Sequence, residues 1–237
     1  MSLTYGYRIK YLIRHMINMT TIFPISLKCP ICETEFGSHE IGSCGFASKR
    51  TDFRPNYWGL NPVNYFYHLC PECGFCASKS LYESQITHEG AIQAIKQLGN
   101  LLESSLPMRL ERAMVCLELL RDGEFIHSNN FDLANSWINA FWWAETKEQE
   151  HKFGKIVISY LKQAISEDEL PDKDVAISKY LIAEINRRIG NTEEAVKYFD
   201  EVLSLIKNDV DSKFLYELTQ QQKTQPQENM GSNKNKN

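Results

Sequence analysis

The apolar residues of this chain change rhythm near residue 86. Beyond that point they recur at spacings of three and four, which gathers them on one face of an α-helix. Residues 87–103 form a first expected helix. Residues 107–121 form a second, with Leu110, Ala113, Met114 and Leu117 on one face, Pro107 in the opening turn and Gly123 just past the end. A third, 131–148, aligns Ala134, Trp137, Ile138, Phe141 and Ala144, and Trp142 and Trp143 widen its apolar face. A fourth, 151–166, carries Ile156, Val157, Tyr160, Leu161 and Ile165. Asp174 opens a fifth, with Ile177, Leu181, Ile185 and Ile189 on one side and Gly190 closing it. Asn191, with Glu194 three residues on, has the pattern of an N-cap for a last helix that buries Ala195, Phe199, Val202 and Ile206.

Upstream the pattern is short and broken. Residues 23–84 hold six of the seven cysteines and a dense set of aromatics, with turn signals at Arg54-Pro55-Asn56 and Leu60-Asn61-Pro62. The best strand is Val63 to Leu69, running into the second of two cysteine pairs. The fold class expected is α+β: a small zinc-ribbon-like β module followed by an α-helical region. The boundaries are a leader over 1–23, the β module over 24–86, the helices over 87–218 and a polar, disordered tail over 219–237. The leader mixes Arg8, Lys10 and Arg14 with apolar residues, and Met16 and Met19 are alternative starts, so it reads as frayed chain or a short amphipathic helix.

Composition narrows the function classes. A formal net charge of -4 offers no global attraction to nucleic acid or to an anionic membrane. The leader has no uninterrupted apolar run of signal-peptide length, and no membrane-spanning run is present. The expected compartment is the cytoplasm, where thiols stay reduced and paired cysteines favour metal over disulfide. There is no HExxH, GxSxG, GxGxxG or Walker-type phosphate loop, so the common hydrolase and nucleotide routes lack support.

The chemistry lies in Cys29-Pro30-Ile31-Cys32 and Cys70-Pro71-Glu72-Cys73. Each pair presents two thiolates from one tight turn, and two such turns complete a tetrahedral shell. Cys29, Cys32, Cys70 and Cys73 are therefore the expected ligands of a structural Zn(II), although sulfur ligation alone does not separate zinc from iron. Backbone N-H groups, with Lys28 or Lys79, are expected to offset the negative charge. Phe36 is placed to pack over the site, while Cys44 and Cys76 read as bystanders and Cys116 as core. His68 reads as a partly exposed strand residue or an outer hydrogen-bond donor to the site. Residues 51–62 mix Asp52, Arg54 and aromatic rings, with Lys49 and Arg50 beside them. They fit either a lid that docks the module on the helices, with Asp52 and Arg54 as a local ion pair, or a base-stacking surface.

Gly190 to Phe199 resembles the middle of a tetratricopeptide repeat, with a turn glycine, a small residue at the crossing and an aromatic one turn later. The regular period of that class is not kept, so repeat-like hairpins are expected rather than a solenoid. More broadly, the first CPxC, Asp52-Phe53, Tyr57, Asn61-Pro62 with Tyr65, the run Cys70 to Phe75 and the Gly190 unit resemble a bacterial family known only as domain of unknown function 2225. The likeness covers most of residues 27–207 and departs from the family at Cys76 and in the long leader. It implies a zinc-ribbon-like front on tetratricopeptide-like helices and favours the same four cysteines, and it carries no activity. The leading functional expectation is a non-enzymatic scaffold for an unidentified protein or peptide partner, with Trp142, Trp143 and Tyr198 as candidate contacts. The alternatives are a nucleic-acid-binding regulator, which the charge disfavours, and a metal-dependent enzyme with an open zinc position.

Overall fold

The computed structural model describes residues 20–101 and 104–230. Most of the expected leader and the last residues of the expected tail lie outside the described residues. The architecture is α+β, with small antiparallel sheets first and helices after them.

Strands β1 (Thr21–Lys28) and β2 (Glu35–Ser43) form a hairpin in which Leu27 lies opposite Phe36 and Lys28 opposite Glu35. The first cysteine pair sits in its turn. The ordered strand begins at Thr21, inside the span expected to be leader. A second hairpin pairs β3 (Phe46–Lys49) with β4 (Pro55–Tyr57), and a third pairs β5 (His68–Leu69) with β6 (Cys76–Ala77) around the second cysteine pair.

The strand expected over 63–69 is mostly absent. Pro62–Tyr65 forms a 3₁₀ turn instead, because Asn61 accepts the Val63 N-H on its side chain and Pro62 begins the turn with its φ already set, leaving only His68 and Leu69 extended.

The helices are α1 (Lys79–Tyr82), α2 (Glu89–Gln97), α3 (Leu106–Asp122), α4 (Asn130–Trp142), α5 (Lys147–Ser166), α6 (Asp172–Arg188), α7 (Thr192–Leu205) and α8 (Lys213–Thr224). The helix expected over 131–148 is two helices' worth of signal. Chain polarity resets at Thr146, whose side chain accepts the Gln149 N-H while Gln149 returns a bond to the Thr146 N-H, so α4 stops at Trp142 and α5 starts at Lys147. Asn191 stands at the head of α7 but does not cap it through its side chain, which turns back to donate to Asn186. Gly190, at φ 88°, closes α6 as expected.

Three apolar clusters hold these elements. One joins α3 to α6 through Leu110, Met114, Phe141, Phe153 and Ile182, and also takes in Val63 and Cys76. Gly154 lets α5 approach α6 closely, since a Cβ there would stand 3.0 Å from methyl carbons of Ile185 and Ile189. A second cluster packs the cysteine turns and Phe75 against Ile95 of α2 and Cys116 and Leu120 of α3. The third joins α6, α7 and α8 through Tyr180, Phe199, Val202 and Leu218.

The expected disorder from residue 219 is corrected by α8, which runs to Thr224 with Thr219 and Gln222 buried. Polar residues dominate there, but these two find partners. Thr219 donates to the Leu215 carbonyl at 2.6 Å, and Gln222 exchanges bonds with the Gln227 backbone at 2.9 and 2.7 Å. No described helix is long and apolar enough to cross a membrane.

Candidate metal centre

Both cysteine turns are built on one hydrogen-bond plan. In the first, the Cys29 N-H donates to the Thr34 carbonyl and the Glu33 N-H to the Cys29 carbonyl, at 2.9 and 2.8 Å. In the second, the Cys70 N-H donates to Phe75 and the Gly74 N-H to Cys70, at 2.8 and 3.1 Å. The residue four places after the leading cysteine must then take a left-handed backbone, and Glu33 and Gly74 do so at φ 65° and 72°. The surroundings differ. Glu33 faces solvent, whereas a Cβ on Gly74 would lie 2.3 Å from the Gly99 carbonyl oxygen. Arg112 of α3 ties that second turn down by donating to the carbonyls of Gly74, Gly99 and Leu98.

The turns bring Cys29, Cys32, Cys70 and Cys73 together, with all four sulfurs within 4.8 Å of one another. Cys29 lies 3.6 Å from Cys73 and Cys32 lies 3.6 Å from Cys70, Sγ to Sγ. Four sulfurs about 2.3 Å from a tetrahedral ion would stand about 3.8 Å apart, so the spacing fits a closed four-sulfur shell. The donor chemistry fits as well. Backbone N-H groups of Ile31 and Cys32 point at the Cys29 sulfur, those of Glu72 and Cys73 at Cys70, and that of Phe75 at Cys73. These donors offset thiolate charge without a lysine. Lys28 and Lys79 do not perform the neutralising role expected of them, because they pair with Glu33 at 3.4 Å and Glu40 at 2.8 Å.

The thiols share protons. A hydrogen bond from Cys73 brings the Cys29 thiol down to about 5, against the opposing effect of burial. The same bond drives Cys73 up, and burial raises Cys70 to about 11. The Cys29 thiolate forms readily while Cys70 and Cys73 resist, which is the state a divalent cation would relieve by replacing the shared protons.

Other cysteines stand apart. Cys76 is fully buried, with its thiol against the Arg109 carbonyl at 3.4 Å, and Cys116 is fully buried with its pKa raised by burial to about 11. Cys44 is exposed. Phe36 meets the Tyr82 ring edge-on at 5.6 Å beside the cluster, as its spacing predicts. His68 is corrected from partly exposed to buried: its Nδ1 meets the Ser38 hydroxyl at 2.8 Å, and burial favours its neutral form.

The segment between the turns forms a second polar site that sequence reasoning missed. Phe53, left-handed at φ 69°, folds the chain so that Thr51 and Asp52 enter the helical body with no exposed surface. The Thr51 hydroxyl donates to buried Glu184 of α6 at 2.7 Å, and its carbonyl accepts from Tyr180 at 2.8 Å. Asp52 pairs with Arg50 and with Arg188 rather than with the Arg54 side chain, and the Arg54 contribution is a backbone N-H at 3.2 Å. Glu184 also receives Arg187 at 2.7 Å and Arg188 at 2.9 Å. The one sequence signal for this site was the acid and two arginines at i, i+3 and i+4 on an otherwise apolar helix face.

Phe53 and Tyr57 of this insert face inward. Tyr57 stacks on Trp143 with centroids 6.3 Å apart, the Arg54 guanidinium lies 4.9 Å from the Trp143 ring, and the Trp142 indole donates to the Asp52 carbonyl at 3.1 Å. The two tryptophans expected as partner contacts are thus occupied within the chain. Tyr198 is half-buried between two apolar clusters.

This combination defines an α+β protein organised around a four-cysteine centre, with the loop between its cysteine turns locked into a helical body. The chain belongs to the family described as an uncharacterised protein conserved in bacteria, DUF2225, whose model matches residues 22–225. No curated protein and no solved structure was found to match it.

Proposed function

We propose that this protein is a cytoplasmic, non-enzymatic interaction scaffold whose front end is organised by one structural zinc held by Cys29, Cys32, Cys70 and Cys73. The observation that carries the reading is the closure of the cluster. Four sulfurs within 4.8 Å of one another, with Cys29 and Cys70 fully buried, use up a tetrahedral shell and leave no position for a reacting water. Four-sulfur ligation fits zinc and iron alike, and metal analysis separates them.

An interaction role is favoured over nucleic-acid binding by the inward stacking of the Tyr57, Trp142 and Trp143 rings. A base-stacking platform needs those faces free.

Metal analysis of the purified chain is expected to give one zinc per molecule, with X-ray absorption showing four sulfur neighbours near 2.3 Å. A light-atom ligand that exchanges with solvent would overturn the structural assignment. Affinity capture of the intact chain from its own cell extract tests the scaffold role, and a protein that returns alone at every salt concentration would count against it.

A further inference from the structure

The chain after α8 returns to the insert and pairs with it. The Thr51 N-H donates to the Glu228 carbonyl at 3.1 Å, the Met230 N-H donates to the Lys49 carbonyl at 3.0 Å, and Arg50 forms a bridge with Asn229. Residues 228–230 thereby lie along the free edge of the β3–β4 hairpin through one isolated antiparallel bridge. Gln222 grips the Gln227 backbone at both its N-H and its carbonyl. One side chain of the segment is read as well. The Glu228 carboxylate receives Arg188 at 2.8 and 3.0 Å and has Arg50 3.7 Å away.

The reading groups are largely buried and most of the segment they read is exposed. Arg188 and Arg50 keep only 5% and 11% of their side chains exposed, and Gln222 only 1%, whereas residues 223–229 are exposed. The charge count also needs the segment. Arg50, Arg187 and Arg188 contact two buried carboxylates, Asp52 and Glu184, and Glu228 is the third. Lifting the segment away leaves one uncompensated guanidinium beside an unpaired strand edge with a free N-H at Thr51 and a free carbonyl at Lys49. This is the chemistry of strand addition with a carboxylate anchor.

We infer that the β3 edge, with Arg50, Arg188 and Gln222, is a docking site for an extended, acidic peptide segment of a partner protein, and that residues 227–230 close it in the free chain. The site rests on the scaffold reading and deepens it, since it names the partner's chemistry and the gate. The anchor selects a carboxylate in register with main-chain pairing, Asn56 donates to the Asn229 side chain at 3.3 Å, and Met230 packs against the cluster that joins α6, α7 and α8.

The test uses a fluorescent peptide of residues 225–230, Gln-Pro-Gln-Glu-Asn-Met, titrated by anisotropy against three forms of the zinc-loaded protein. These are the intact chain, a chain ending at Gln225, and the full-length double variant Glu228→Gln, Met230→Pro, which loses the anchor and one strand bond while keeping its length. The two opened forms are expected to bind the peptide at least about tenfold tighter than the intact chain. A peptide with glutamine at the anchor should bind them about fivefold weaker, which corresponds to the loss of about 1 kcal/mol for a half-exposed charged pair. Circular dichroism identifies which opened form is folded, and the full-length variant decides if the truncated one is not. Absence of binding to a folded opened form, equal binding to intact and opened forms, or indifference to the glutamate would each overturn the site. A dimer of the intact chain that disappears on truncation would also overturn it, because it assigns the edge to exchange between copies. Failure here with partners still captured by the intact chain would remove the site and leave the scaffold reading standing.

Discussion

The cysteine cluster and the Thr51–Asp52 turn are both polar groups buried in the front part of the molecule, and they are assembled in opposite ways. The cluster takes four like groups from two turns of the same plan, at a spacing that could hold a metal ion. The turn takes unlike groups from the insert, α6, α8 and the closing segment, and balances its charges within the chain. The first can form as soon as two short hairpins meet around an ion. The second exists only once residues more than a hundred positions apart have been brought together by the helices. Metal supply should control one and global folding the other.

The largest expected effect comes from breaking the cluster. Cys70→Ser removes a ligand and the sulfur that meets Cys32, and should abolish stoichiometric zinc. A structural zinc shell contributes on the order of 10 kcal/mol to folding, so the β hairpins and α2 should lose protection from hydrogen exchange. Cys44→Ser, on the surface, should leave both metal content and melting temperature unchanged. Full zinc retention in Cys70→Ser would remove Cys70 from the ligand set.

Breaking the turn tests the other assembly. Glu184→Ala leaves Arg188 and Arg187 without their buried carboxylate and the Thr51 hydroxyl without its acceptor. Removing one partner of a buried ion pair costs about 3–5 kcal/mol. Denaturant titration should show that loss with zinc content intact. Simultaneous loss of zinc would mean that the two sites are one cooperative unit.

The difference in assembly also explains what could be read from the chain alone. Two CPxC turns announce the cluster because all the geometry of each turn lies within six residues, and the helical region announces itself through apolar period. Asp52 and Arg54 were visible as a charged pair, but the partners Asp52 takes are Arg50 and Arg188, and no local spacing links residue 52 to residue 188. Trp142 and Trp143 looked like contact residues for the same reason: the Asp52 carbonyl that engages Trp142 and the Tyr57 ring on Trp143 come from an insert far upstream. The polar stretch around Gln222 looked disordered because its buried glutamine and threonine are satisfied by residues that composition does not identify. At Val63 to Leu69 the failure was local, since β propensity was outweighed by the Asn61-Pro62 turn start.

A smaller effect separates the two cysteine turns themselves. Gly74→Ala places a side chain on a left-handed residue and drives its Cβ into the Gly99 carbonyl, at a cost of about 1–3 kcal/mol for the backbone alone. Glu33→Gly at the matching position should move stability by less than about 1 kcal/mol, because relief of strain is offset by added freedom in the unfolded chain. Thermal melts of the two variants measure the asymmetry. Equal effects would mean that the second turn gains nothing from being held by Arg112 and α2.

The smallest expected effect lies at the closing segment. Glu228 is 60% exposed in its side chain, so Glu228→Gln should cost no more than about 1 kcal/mol at neutral pH. Its pH dependence is the more telling measurement. Burial alone would raise the Glu228 carboxyl, but the Arg188 hydrogen bonds and charge, aided by Arg50, hold it below its ordinary 4.5. A carboxyl lowered in the folded state stabilises it fully above the unfolded value, and that contribution fades as pH falls through the folded one. The difference in urea midpoint between the natural chain and Glu228→Gln should therefore be constant from pH 7 down to about 5 and close toward zero in stronger acid. Subtracting the two chains cancels the other carboxylates that titrate in the same range. No difference between the two chains at pH 7 would show that the segment is held by its strand bonds and not by the Arg188 anchor.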